Sequence, residues 1–583
     1  MDDNVLEYSK AYHDKYKEEF NENASNMFDD WVKESKVNVE ENRKTAQDYR
    51  DAKTNLENIG DRLTKYKGRK KFMIFLIVFG IFAIAVGSFL MYSNFSTDEV
   101  EFGAVFGGAL AAIIVGLALM ISMIIVIVKK INPIISNTEE EKAKEEAHVK
   151  ELYDTCLEQL KPLHALFKDS ATSQLIQKTV PIIKLDPNFN MRRFDLLSGK
   201  YNLKENTSET ESTVGIFSGE ILGNPFIEER RISQKWGTET YTGSLVIEWT
   251  ETKYYSDGSS ETIHKSQTLT ASVEKPIPYY DYFTRLIYAN EAAPDLSFTH
   301  SPSHAERISE KELAKLIKKG EKDLQKQEKQ ALKDGKSFNS MGNVEFEILF
   351  GATDRDNDIQ FRLLFTPLAQ KNMLHLMKTP APFGDDFALV KSKMLNFVAS
   401  EHAQNWNFNI NSKEFMIYDI DMCKSAFLKF NNNYFLNLYF ELAPIMSIPL
   451  YQQHKPHEYI YRDNYSRNYT SFESEVLSNA LDSSMLSPGA DTQSILKTSL
   501  VNKEDGCDNV LITAHYFKGF ERVDYVPVRG GDGEYHNVPV PWIEYLPMIN
   551  VTPVKISETK GDHNNAFEGN NATLHNLHIS MIK

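Results

Sequence analysis

Two uncharged apolar runs, Phe72–Tyr92 and Gly103–Val128, constrain this 583-residue chain more than any other feature. A helix rises about 1.5 Å per residue, so roughly 20 apolar residues cross the ~30 Å hydrocarbon core of a bilayer, and both runs reach that length. They predict a pair of transmembrane helices. Two buried helices of a large soluble core would account for the length but not for the complete lack of charge.

The flanks set the expected orientation. Lys65, Lys67, Arg69, Lys70 and Lys71 precede the first run, and Lys129 and Lys130 follow the second. The connecting loop from Ser93 to Phe102 has no basic residue and carries Asp98, Glu99 and Glu101. Basic flanks stay cytoplasmic, so both termini are expected in the cytoplasm and only the short loop outside, in the plasma (inner) membrane of a cell. The acidic start, MDDNVLEYSKAYHDKYKEEF, lacks the basic and then apolar order of a cleavable secretory signal.

The lipid bilayer is therefore the first expected partner. A formal charge of −16 argues against nucleic acid as another, because neutralising phosphates takes an excess of Lys and Arg on one face. Cys156, Cys423 and Cys507 are scattered singly, which suggests neither a disulfide framework nor a thiolate metal site and fits a reducing compartment.

The expected fold class is α+β: a two-helix transmembrane hairpin, a helical stalk and a large β-rich cytoplasmic body. Residues 1–67 are charged and helix-prone, and Tyr49, Ala52, Leu56, Ile59, Leu63 and Tyr66 repeat at three and four, a coiled-coil-like seam of about three heptads. Asn132-Pro133 is expected to break or kink the chain after the second run. A stalk helix over 137–179 then presents Val149, Leu152, Cys156 and Leu160, free to pack on the first seam or on the body.

Residues 180–302 alternate as strands, with a hairpin turn at Ser256-Asp257-Gly258-Ser259. The segment 303–340 is a charged helical insertion opened by a capping box, Ser309 to Glu312, with Leu313, Leu316, Ile317 and Leu324 on one face, either solvated and partly packed or touching anionic lipid. Residues 341–444 read as mixed α/β: a strand over Glu345–Phe350, a helix over Asp358–Phe365, a cap at Thr366-Pro367, and a hairpin of Trp406–Asn411 with Glu414–Ile420. Residues 445–583 read as an accessory β-rich module, with one helix near 471–486, an Arg529–Gly533 turn and a frayed polar tail.

The stretch FEILFGATDRDNDIQFRLLFTPLAQKNMLHLM, followed by WNFNINSKEFMIYDIDMCKSAF, resembles the domain of unknown function 3137 family. Phe346, Asp354, Arg362, Thr366-Pro367 and the segment ending at Phe427 carry the likeness, with FSGEILGNPFIEERRIS (Phe217–Ser233) as an earlier match. The resemblance spans roughly residues 180–440 and implies a bacterial membrane protein with a two-span hairpin and a cytoplasmic domain. The charged insertion before residue 341 and the part beyond about 445 depart from the family pattern. The family has no established activity, so the likeness implies no catalytic residue.

No signature of catalysis stands out. Asp354-Arg-Asp-Asn-Asp358 alternates carboxylates like a calcium loop, but Ile359 replaces the turn glycine and Phe365 the closing glutamate. A polar turn is expected instead, with Asp356 or Asp358 capping a helix and Arg362 paired to a nearby acid. His454/His457 and His575/His578 have metal-like spacing, but the first pair contains Pro456 and the second lies in the polar tail, so exposed histidines are expected. Gly530-Gly-Asp-Gly533 is followed by no Gly-Lys-Ser/Thr and reads as a turn. Neither metal nor cofactor is expected.

The firmest pattern is a row of small residues in the second run, Ala104, Gly108, Ala112 and Gly116, with Gly103 and Gly107 alongside and Gly80, Ala83 and Gly87 in the first run. Small residues at four-residue spacing let another backbone approach, either within the hairpin or between protomers. The lack of polar residues in both runs speaks against a conducting pore. The expected function is a membrane-anchored, cytoplasm-facing binding or scaffold protein for a protein partner. The alternatives are an enzyme with an unrecognised site in the body, or a subunit of a homo-oligomeric assembly or transport accessory.

Overall fold

The computed structural model describes residues 8–95, 104–205, 207–256, 258–335, 340–404, 406–455, 469–504, 506–559, 566–568, 571–574 and 577–582. The fold is α+β, with antiparallel sheets and two long apolar helices, and the chain divides into two units.

The smaller unit, Phe28–Phe167 with Glu414–Phe427, is built on helices. Helix Val39–Phe95 runs antiparallel to helix Ala104–Val126 and then to helix Asn132–His164. The seam read from the sequence is the buried stripe: Ala52, Ile59 and Leu63 are buried, with Leu56 and Tyr66 half-buried. From the other helix, Cys156 and Leu160 are buried while Val149 and Leu152 are half-buried. The exposed edges carry polar ties in one consistent register, Asn55 to Glu145 (3.0 Å), Arg62 to Glu141 (2.8 Å) and Lys67 to Glu139 (2.8 Å).

At Pro133 the helix does not stop. A π-turn over Ile127–Ile131 precedes helix Asn132–His164, and Ile131 and Asn132 keep right-handed helical dihedrals. Proline offers no amide to the preceding turn, and widening that turn accommodates its ring without ending the helix.

The larger unit comprises Met1–Met27, Lys168–Lys413 and Leu428–Lys583. Its first sheet joins β1 (Ile183–Leu185), β2 (Glu211–Ile221), β3 (Asn224–Tyr254), β4 (Ser260–Ala289), β5 (Ser297–His300), β6 (Phe387–Ser392) and β7 (Leu395–Ser400). The order is β1-β2-β3-β4-β7-β6-β5. On one face, Ile216, Ile227, Ile287 and Ala289 pack beneath Phe194 and Leu197 of helix Met191–Gly199 and Phe472 and Val476 of helix Ser471–Asn479. Alternation puts Phe226, Glu228 and Arg230 of β3 on the other face.

The second sheet joins β8 (Ile495–Glu504), β9 (Cys507–Arg529), β10 (Tyr535–Glu558), β11 (Ala566–Glu568), β12 (Asn571–Leu574) and β13 (Leu577–Met581), in the order β11-β12-β13-β10-β9-β8. Its core of Leu496, Val510, Ile512, Val554, Ile556 and Ile579 includes Leu477. Helix Ser471–Asn479 therefore feeds both cores. The described parts of the tail are strands rather than frayed chain, because Leu577–Met581 pairs with Val554–Glu558 and buries Leu577 and Ile579.

Strands β3 and β4 run on as a two-stranded ribbon beyond the sheet, to a turn where Gly258 takes φ 86°. Strands β9 and β10 make a second ribbon. A lone two-stranded ribbon is marginal in water, and here the two cover each other, with Ile247, Leu269 and Ala271 packed on Val538 and Val540. A β-carbon at Gly243 would stand 2.0 Å from the Pro539 carbonyl oxygen, so this crossing needs glycine.

Two further expectations change. Glu345–Phe350 lies in a helix, Val344–Phe350, which Asn343 caps by accepting from the Phe346 amide and which ends at Gly351 with φ 66°. A short apolar run is ambiguous by periodicity alone, and the two end signals decide it. Residues 406–420 are not a hairpin. The side chains of Asn407 and Asn411 accept from the backbone amides two residues on, competing with a strand ladder, and Ser412–Phe415 forms a 3-10 turn. The hairpin of this region is β6–β7, turning at Lys393 with φ 56°.

Candidate functional site

The small residues of the second long helix divide between two faces. Gly116 meets the first helix: a β-carbon there would lie 2.7 Å from the Gly80 carbonyl oxygen, and one at Gly87 would lie 2.8 Å from that of Ala109. Ala109 is buried and Ala112 half-buried, whereas Gly107 and Gly108 face open space. Ala104 begins the helix, and its side chain and Gly103 lie outside the described residues. Four-residue spacing drifts about 40° per step around a helix, so Gly108 turns off the face that Gly116 occupies. Ala109 takes its place.

The DRDND turn is a backbone clamp. Asp354 accepts from the Thr299 amide (2.9 Å) and Asp356 from the Ser297 amide (2.7 Å), satisfying donors of β5. The helix cap is Asn357, which accepts from Gln360 N, rather than Asp356 or Asp358. Arg362 does bind an acid, Asp358, at 3.0 Å. Asp358 also receives Arg355 (2.8 Å), whose guanidinium is buried, bonds Glu347 (2.6 Å) and lies over the Phe361 ring at 4.4 Å.

His457 and His575 lie outside the described residues, while His578 sits in β13. Gly530–Gly533 is the closing turn of the second ribbon, with Gly533 at φ 90°. Among the described residues no group of three His, Cys, Asp or Glu side chains is arranged to hold a metal ion.

Sequence reasoning missed a cluster of ionisable side chains in the body. Two adjacent carboxylates each hold a histidine: Asp385 takes His300 Nε2 (2.9 Å) and Asp386 takes His402 Nδ1 (2.6 Å). The other His402 nitrogen lies 3.3 Å from the Asn437 carbonyl and 3.9 Å from Glu441. Glu441, in helix Ile420–Met446, and Glu228, in β3, are buried, with no hydrogen-bond partner on any carboxyl oxygen among the described residues. Burial, and then the nearby Glu441 and Glu229, drive Glu228 well above the usual carboxylate range. Burial pushes Glu441 up to about 7 against the opposing pull of His402. For His402, burial acts downward, but Asp386 and Glu441 outweigh it and leave the imidazole raised.

A separate surface groove of about 650 Å³ is lined by Val214, Ile232, Leu481 and Leu496, with Tyr282, Ser487, Thr492 and Gln493 contributing polar groups. Its charged lining residue, Asp491, already accepts from the Gly519 amide at 2.8 Å.

Comparison with protein-family models, with curated proteins and with solved structures finds no match for this chain.

Proposed function

We propose that the chain is a membrane-anchored binding protein: a helical hairpin that crosses the bilayer twice, both long flanks in the cytoplasm, and a body that recognises a protein partner. The observation that carries the anchor is the outer surface of the long helices. Phe72, Phe75, Phe79, Phe82 and Phe89 of the first and Ile114, Val115 and Ile125 of the second are all at least half exposed, an apolar belt that water would penalise and lipid tails would cover. The Lys and Arg flanks and the acidic loop support the orientation. The resemblance to the domain of unknown function 3137 family belongs to the same proposal.

The groove supports the binding part. An apolar floor with hydroxyl and amide groups suits an uncharged stretch of polypeptide, whose side chains meet Ile232 and Leu496 while its backbone exchanges hydrogen bonds with the Ser and Thr groups. Extraction with alkaline carbonate tests the anchor: the protein stays with the membranes, and release into the supernatant refutes it. Capture from detergent extracts tests the groove. Tyr282→Ala should lose the partners that the parent recovers and remain membrane-bound; an unchanged set of partners sinks the groove reading. A second reading, self-association through the second long helix, draws on the open side at Gly107 and Gly108 and predicts a lower mass in detergent for Gly108→Leu.

A further inference from the structure

Glu228 and Glu441 are the least compensated charges in the described body. Their relative exposures are 1% and 0%, and all four carboxyl oxygens lack a hydrogen-bond partner. An isolated carboxylate in such a site costs far more than its neutral acid, so the closed arrangement is compatible with protons on these groups and strained without them. The neighbours do not supply the missing positive charge. Glu228 faces Glu441 and Tyr434 of helix Ile420–Met446 and is followed on its own strand by Glu229. Arg230, on the same face of β3, is spent on Thr284 Oγ1 and the Gln404 and Trp406 carbonyls, while Arg231 and Arg285 bind Glu229. Glu441 faces His402, whose imidazole is held by Asp386, and lies beside the Ser400 hydroxyl.

We propose that Glu228, Glu441 and His402 form a proton-operated latch that keeps the Leu428–Met446 part of the helix closed on the first sheet and lets it open as protons leave. The sign follows from linkage. An exposed glutamate titrates near its ordinary value, so above that pH opening releases a proton from any carboxyl that stays protonated when closed. Each such proton makes the opening equilibrium about tenfold more favourable per pH unit, up to the closed-state pKa. Glu441 contributes up to about pH 7, and Glu228, which burial also holds well above the usual carboxylate range, acts in the same direction. The latch is therefore closed in acid and loosened by alkali.

The test is hydrogen exchange on the intact protein in detergent, corrected for the intrinsic pH dependence of amide exchange and read on peptides from 428–446 and 224–232. Between pH 5 and 7 the parent should gain about tenfold or more in opening per pH unit, and the Glu228→Gln/Glu441→Gln double variant should lose that slope. Equal slopes in the parent and in the double variant overturn the proposal. The infrared carbonyl band of an un-ionised carboxylic acid gives an independent reading on the folded protein. It should be present at pH 7 and absent from the Glu228→Gln/Glu441→Gln double variant; a parent without it at pH 7 overturns the proposal even if the single variants fold poorly.

Discussion

Arg355→Met removes a cation from one of the most enclosed ion clusters in the body. The guanidinium is 1% exposed as a side chain, as is its partner Glu347, and Asp358 is 13% exposed. Its bonds run to Glu347 (2.6 Å), Asp358 (2.8 Å) and the Ala352 carbonyl (3.2 Å), and its plane covers the Phe361 ring. Methionine keeps much of the volume and the ring contact but leaves Glu347 buried and unpaired, while Asp358 retains Arg362. Breaking a buried pair by deleting one member costs about 3–5 kcal/mol, a large share of the ~5–15 kcal/mol that holds a typical domain. Arg355→Lys should lose less, since it keeps the charge but cannot fork between two carboxylates. Most of the loss comes from the orphaned acid, so Arg355→Met/Glu347→Leu should be more stable than Arg355→Met alone. The assay is urea unfolding of the detergent-solubilised chain, with hydrogen exchange on peptides from 344–364 to localise the effect. A single variant within 1 kcal/mol of the parent, or a double variant weaker than the single, would refute the reasoning.

Gly116→Leu should lower the midpoint of SDS unfolding, by about 1–3 kcal/mol for an overpacked contact, whereas Gly108→Leu should leave it unchanged because its site is open. Asn42→Ala removes the acceptor of the Ile420 amide (3.0 Å) and donors to Tyr418 O (3.1 Å) and Gln159 (3.4 Å). Exchange at residues 417–423 should rise by the equivalent of about 1–3 kcal/mol, and an unchanged rate would show that water takes over these bonds. Pro541→Val with Pro547→Val restores two outward amides on β10, and light scattering should then show concentration-dependent association; a monodisperse double variant counts against an edge-guarding role for these prolines.

The parts legible in the sequence are those where one period dominates. The buried positions between Tyr49 and Tyr66 are legible because burial of Ala52, Ile59 and Leu63 needs nothing beyond the three-four repeat. The capping box at Ser309 and Glu312 is legible for the same reason, being complete within four residues. Gly108 and Gly116 belong to one four-residue repeat of small residues yet lie on different faces, since such a repeat winds around the helix. The strand assignment at Glu345–Phe350 failed because Asn343 and Gly351, which decide it, flank the run.

The buried carboxylates left no trace at all. Glu228 sits in IEERR, which reads as the exposed face of a strand, and it is buried because both faces of β3 are covered there, an outcome set by segments hundreds of residues away. His402 and Asp386 are likewise joined only by the β6–β7 hairpin, which brings residues sixteen apart within 2.6 Å.

The prolines of the ribbons bear on how a partner can be held. Pro539, Pro541, Pro547 and Pro553 of β10 share one parity, as do Pro276 and Pro278 of β4. A proline cannot donate to a ladder, so residues of that parity must be the ones whose amides point away from the ribbon's paired strand; at Pro539 that side meets Gly243 and at Pro553 it meets the last strand, while Pro541 and Pro547 are exposed. Outward donors are missing at Pro541 and Pro547 of β10 and at Pro276 and Pro278 of β4. Strand addition is thereby disfavoured although the ribbons are long and two-stranded, the geometry most exposed to it. On the proposed reading, recognition then falls to side chains on a face or in the groove, where Tyr282 and Val214 present apolar surface without offering a ladder. A partner selected that way is chosen by its side chains rather than by its backbone, and its capture should fail with Tyr282→Ala yet survive Pro541→Val.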